Sequence, residues 1–204
     1  MAANVVIGFL GTKLDSGTKL DRWNRWRPTV NLCQQDDFVV DRLELLTEPH
    51  YGRIAEQVRD DIALISPETT VEIVDMPIAD PWDLGEVYGA LYDFADLYDW
   101  KPETERYLMH ITTGTHVAQI CQFLLTEARF IPGEILQLSP PRRNEPYSAP
   151  GAISIIDLDL SRYDPLANRF EARRAADETS LTDGLQTRSP RFARTLADVT
   201  RVAT

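Results

Sequence analysis

The chain has 204 residues, 43% of them hydrophobic, and a net charge of -11. That supports one full core with an appendage, and it argues against broad electrostatic binding of duplex DNA while leaving room for a local basic pocket. Cys33 and Cys121 lie far apart in apolar surroundings without metal-ligand spacing, so they read as packing residues of a reduced, cytoplasmic protein. The opening run Val5-Val6-Ile7 is too short for a signal peptide or a membrane span.

Asn4–Phe9 (NVVIGF) reads as a buried parallel strand that exits through Leu10, Gly11 and Thr12. Gly8 and Gly11 permit close backbone approach, but no complete GxGxxG follows, so a dinucleotide fingerprint is not supported. Thr12–Pro28 then gathers Lys13, Lys19, Arg22, Arg25 and Arg27 against Asp15 and Asp21, with Trp23 and Trp26 set between the arginines. Such interleaving suits base stacking and phosphate pairing. It equally suits tryptophans packed on a core beneath solvated arginines.

Pro28 opens a short helix through Leu32 and Cys33. Phe38–Leu46 has the period-two character of a second strand, and Glu48–Ile65 is an amphipathic helix with Ile54, Val58, Ile62 and Ile65 on one side. Thr69–Ile78 is a third strand closed by Pro77. Asp80 is the expected N-cap before Pro81, for a helix through Tyr98 that carries Leu84, Val87, Leu91 and Ala95 at helical spacing. His50 reads as a surface residue, and Asp36-Asp37 and Asp60-Asp61 as solvated charge.

Tyr107–Arg129 is the stretch around which the rest is organised. An apolar run meets Thr112-Thr113-Gly114-Thr115-His116, and Val117, Ile120, Cys121, Leu124, Leu125 and Ala128 then mark one helix face expected to be buried. A strand therefore ends in a hydroxyl-rich turn that opens a helix, and the free N–H groups of such a turn favour an anion. The plainer alternative is a well-capped helix in an α/β core. Glu134–Leu138 makes a fifth strand, Ser139–Gly151 a proline-rich loop holding Arg142 and Arg143, and Ala152–Leu160 a sixth strand antiparallel to the fifth.

The alternation predicts an α/β fold: a mostly parallel sheet with helices on both faces and an antiparallel edge strand. Ligands of such sheets bind at the carboxyl ends of the strands. The exits of strands one, four and five bring Leu10–Thr12, Thr112–His116 and Ser139–Arg143 to one edge. Residues 1–163 form the expected domain, 164–183 a linker, and 184–204 the start of a further domain, with Phe192, Leu196, Val199 and Val202 on one helical face.

Gln119 shares a helical face with His116, and a phosphate there would favour imidazolium while the helix N-terminus would oppose it. His110 flanks the turn on a strand and can point away from the cleft. No Walker A, GxSxG or HExxH motif occurs, no catalytic residue is assigned, and no metal site is expected.

The strings VVIGFLGTKLDSG, RWNRWRPTVNLCQ, FVVDRLELL, DPWDLGEVYGALYDFA and HITTGTHVAQICQFLLTEAR together resemble the N-terminal domain of the RtcR family. These are sigma-54-dependent transcription activators of operons encoding RNA terminal-phosphate cyclase and an RNA ligase. The resemblance implies a Rossmann-like CARF domain (CRISPR-associated Rossmann fold) that dimerises and binds an RNA-derived ligand, with an RNA end bearing a 2′,3′-cyclic phosphate as the implied signal. Related domains bind cyclic oligoadenylates, and some cleave them, so a ring-nuclease-like enzyme and a dimerisation module without ligand stay open as alternatives.

LQTRSPRFARTLADVTRVA resembles the opening of the AAA+ domain in such activators, ahead of the Walker A loop. ATP and Mg²⁺, higher oligomerisation, and contacts with sigma-54 RNA polymerase and DNA would then belong to domains beyond this stretch. No cofactor and no membrane partner are expected here. The expected ligand contacts fall on Leu10, Gly11, Thr12, Thr112, Thr113, Gly114, Thr115, His116 and Gln119. Trp23, Arg25 and Arg27 of the basic-aromatic segment, and Arg142 and Arg143, complete the expectation.

Overall fold

The computed structural model describes residues 2–17 and 20–156. The expected linker and the helical pattern of 184–204 lie outside the described residues.

Apolar runs in register build one sheet of six strands in the order β3-β2-β1-β4-β5-β6. β1 (Ala3–Phe9) sits between β2 (Arg42–Thr47) and β4 (Glu105–His110), both parallel to it, so Val6 faces Leu43 on one side and Leu108 on the other. β3 (Thr70–Asp75) continues the parallel ladder beyond β2, and β5 (Gly133–Ser139) beyond β4. β6 (Ala152–Ile156) closes the other edge antiparallel to β5, as the short connection requires.

Side chains alternate across each strand. Val6, Leu43, Leu45, Leu108 and Leu136 point to one face and pack with Val30 and Leu32 of α1 (Pro28–Leu32) and with Ala55, Val58 and Ile62 of α2 (Gly52–Ile65). α3 (Leu84–Leu97) and α4 (His116–Glu127) pack on each other, with α4 along β4 and β5, so they cover the opposite face. Right-handed crossovers account for this division, since the chain winds outward from β1 to β3 and then returns to lay β4 on the other side of β1. The winding reverses between β1 and β4, which makes their exits the natural crevice of the sheet.

Several expectations need correction. Phe38–Asp41 is not part of the second strand: it is tied down by Asn4, whose side-chain amide donates to the Val39 carbonyl and whose N–H donates to the Asp41 carboxylate. The third strand is likewise shorter, ending at Asp75. α3 is capped by Asp83, not Asp80: Asp83 accepts from the Glu86 N–H at 2.9 Å, while Asp80 accepts from the Trp82 N–H in the preceding turn.

The buried face of α4 is Ala118, Cys121, Gln122, Leu125 and Thr126. Ile120 and Leu124 point outward, 51% and 43% exposed. The two stripes share Cys121 and Leu125, and polarity misled the choice between them. Thr126 hides its hydroxyl by donating to the Gln122 carbonyl at 2.7 Å, so it packs as an apolar residue would.

A ligand cleft at the β1–β4 exits

The Thr112–His116 turn gives each of its three hydroxyls a partner. Gly114 has φ +85, the left-handed region, and a Cβ there would stand 3.1 Å from the Phe9 Cβ, so both backbone and space call for glycine. Thr113 is buried and its hydroxyl donates to the Phe9 carbonyl at 2.5 Å, locking the turn onto the end of β1. The Thr112 hydroxyl accepts from the Leu138 N–H at 2.7 Å and so fixes it to β5. Thr115 is the N-cap: its hydroxyl accepts from the Ala118 N–H at 3.1 Å and donates to the Pro81 carbonyl at 2.9 Å, holding the β3–α3 connection against the start of α4.

The three hydroxyls are thus engaged in building the turn. What remains of the turn to meet a ligand is the His116 side chain and the backbone, since the first-turn N–H groups of His116 and Val117 have no carbonyl inside the helix to bond. The helix dipole adds a preference for an anion there of about 0.3–1 kcal/mol.

This turn opens on a cavity of about 470 Å³. Leu10, Gly11, Thr12 and Lys13 from the β1 exit and Thr112–His116 from the β4 exit line it, with Glu48, Tyr51 and Trp82 among the other lining residues. Lys13 and His116 are both exposed, and they are the basic side chains of the described lining. Gln119 lies just behind, its amide donating to the Gly114 carbonyl at 3.4 Å. Leu10–Thr12 and Thr112–His116 are therefore brought together as the strand order required.

Trp23, Arg25 and Arg27 are not brought into the cleft; they brace it from behind. Arg25 donates to the Lys13 carbonyl at 3.0 Å. Arg27 is 1% exposed; its Nε donates to the Asp15 carbonyl at 2.9 Å and its Nη1 pairs with Asp61 Oδ2 at 2.6 Å. Arg22 pairs with the same carboxylate at 2.9 Å, and the Arg22 and Arg27 guanidinia lie 5.3 and 5.8 Å from the Trp23 ring. Burial pushes the Asp61 carboxyl up, but the hydrogen bonds from Arg22 and Arg27 outweigh it and leave its pKa below the usual value. Asp61 is therefore not a solvated charge. It anchors the segment to α2.

Arg142 and Arg143 are exposed in the Ser139–Gly151 loop and do not line the cavity.

Sequence reasoning missed Asp15. Its carboxylate, fully buried, accepts from the Gly11 N–H at 3.0 Å, the Thr29 N–H at 3.0 Å and the Thr29 hydroxyl at 2.6 Å. Burial raises its pKa against those bonds. A side chain at Gly11 would run into this carboxylate, so Asp15 explains the second glycine of the β1 exit. The one available signal was an acid three residues beyond Thr12 in an otherwise basic stretch.

His110 follows Leu108 by two residues and so points to the α1–α2 face, away from the cleft. It is 1% exposed, Gly8 makes room for it, and burial lowers its pKa to about 4. Among the described residues no group of three or more His, Cys, Asp or Glu side chains is arranged to hold a metal ion. None of the described helices is long and apolar enough to cross a membrane.

Strand order, crevice and helix packing together define a Rossmann-like α/β fold, mostly parallel with one antiparallel edge strand. Comparison with solved structures agrees on the fold. Csm6 of Enterococcus italicus, bound to cyclic hexa-2′-fluoro-hexa-dAMP, superposes with a TM-score of 0.59 at 14% identity, covering 98% of this chain and 54% of that one. Protein VC1899 of Vibrio cholerae gives 0.51 at 11% identity, covering 67% and 31%.

The sequence places the chain more closely. Residues 2–184 match the model of the regulator of RNA terminal phosphate cyclase, RtcR, and the chain belongs to that family. It is 50% identical over 204 residues to the transcriptional regulatory protein RtcR of Escherichia coli K12, and spans 38% of the length of that relative.

Proposed function

We propose that this chain is the ligand-sensing domain of a sigma-54-dependent transcription activator. The cleft at the β1 and β4 exits receives an RNA end, and a terminal 2′,3′-cyclic phosphate meets the start of α4. Occupancy then changes how the domain restrains an attached AAA+ ATPase, to which ATP, Mg²⁺ and contacts with sigma-54 RNA polymerase and DNA belong. The observation that carries this reading is the Thr112–His116 turn, whose threonine hydroxyls are engaged in building a helix start that lines a cavity at the switch point of the sheet.

Two further features belong to this reading. His116 is the sole histidine among the described residues that line the cavity, and His110 is sealed on the other face of the sheet. Ile120 and Leu124 of α4 are exposed, as are Tyr92 and Phe130, whose rings meet edge-on, and these apolar residues are the proposed homodimer surface.

Titration calorimetry with short RNAs that differ only at the 3′ end tests the reading. Binding of the cyclic-phosphate end, with the hydroxyl end at least tenfold weaker, is expected. Equal affinities for the two ends, or a preference for cyclic oligoadenylate, would overturn it.

A further inference from the structure

A cleft that receives phosphate has no electrostatic use for a carboxylate, yet this one contains Glu48. The residue follows β2 directly and stands at the N-cap of the turn Pro49–Tyr51, but its side chain makes no capping bond. Among the described residues no hydrogen bond reaches the carboxylate; His50 Nδ1 stands 3.6 Å from it. The side chain is 20% exposed, so the charge is partly desolvated without a committed partner.

The strand order says where this acid lies. β2 and β4 flank β1, so at the usual strand spacing their exits are roughly 10 Å apart. Glu48 and the start of α4 therefore mark opposite halves of the crevice. Two aromatic rings from different connections line the cavity with Glu48: Tyr51 from the β2–α2 connection, and Trp82, 64% exposed, from the β3–α3 connection. The Thr115–Pro81 bond fixes the latter connection to the start of α4.

We infer that the Glu48 half of the cleft is a nucleobase slot and that Glu48 is its selectivity residue. This rests on the reading of the cleft as a site for an RNA end and adds which base that end carries. An ionised carboxylate only accepts hydrogen bonds, and with two oxygens it matches a base edge that shows two N–H donors side by side. Guanine does so through N1–H and N2–H. Adenine and cytosine offer one amine beside a lone pair. Uracil sets carbonyl lone pairs on both sides of its single N–H and is repelled. Tyr51 and Trp82 supply stacking faces, which hold every base alike and leave the choice to Glu48.

The test is titration calorimetry of the full chain with guanosine, adenosine, cytidine and uridine 2′,3′-cyclic monophosphates, repeated on Glu48→Gln and Trp82→Ala. The wild type is expected to bind the guanosine compound most tightly and the uridine compound weakest, by roughly tenfold or more. Glu48→Gln should melt as the wild type does, bind guanosine roughly tenfold more weakly, and bind uridine as well as before or better. Trp82→Ala should weaken all four equally. Equal wild-type affinities for the four bases, or a Glu48→Gln change of the same size for all four, overturns the slot while leaving the phosphate site standing. Failure of all four to bind also overturns the slot, and the RNA-end comparison then decides separately whether the phosphate reading survives.

Discussion

Asp60 and Asp61 are neighbours in sequence with opposite roles, and that contrast gives the sharpest test of the brace behind the cleft. Asp61 is 2% exposed and holds Arg27 at 2.6 Å and Arg22 at 2.9 Å. Replacing it by alanine strands the buried Arg27 guanidinium, whose Nη2 already lacks a partner. Removing one member of a buried pair costs about 3–5 kcal/mol. At about 2–4 °C per kcal/mol for a chain of this size, the melting temperature should fall by roughly 6–20 °C.

Asp60 is exposed and among the described residues meets only the adjacent Arg59 at 3.4 Å, so Asp60→Ala should change stability by less than about 0.5 kcal/mol. Urea denaturation of both variants beside the wild type reads the difference. If Asp61→Ala were as mild as Asp60→Ala, the pair would be solvated and Arg27 would be free to reach the ligand. The brace would then be wrong.

Three other outcomes are expected. Because burial lowers the pKa of His110 to about 4 from an ordinary 6.5, the unfolded chain takes up this proton first as pH falls. That should cost the fold about 2 kcal/mol at pH 5, a loss that His110→Leu should escape when denaturation midpoints at pH 7 and pH 5 are compared. Thr115→Ala, which removes both the cap and the Pro81 bond, should cost about 0.5–2 kcal/mol and weaken RNA-end binding, since the amides it positions lose their geometry. Replacing Ile120 and Leu124 together by lysine should leave the melting temperature near that of the wild type while converting the proposed dimer to a monomer by light scattering.

Much of this fold is written in local pattern. The alternation of strands and helices, the short β5–β6 connection and the hydroxyl-rich turn before α4 each follow from periodicity or turn chemistry acting within a few residues. What pattern could not supply was partnership across the chain. Arg27 and Asp61 are 34 positions apart, and nothing local distinguishes a buried pair from two solvated charges. Asp15 and Thr29 are likewise joined only by the fold. The threonines show the same limit at the site itself: their hydroxyls suggested ligand contacts, and their bonds to Phe9, Pro81 and Leu138 show that they build the turn.

In the proposed complex the ligand's phosphate is met by backbone amides at the start of α4, with the basic-aromatic segment as support behind. Amide chemical-shift mapping by NMR, with the chain titrated by a short RNA ending in 2′,3′-cyclic phosphate, tests it most directly. The largest changes are expected at Gly114–Ala118 and Gly11–Lys13, with Trp23–Arg27 and Arg142-Arg143 little affected. Changes centred on Trp23, Arg25 and Arg142, with the α4 amides unmoved, would contradict it.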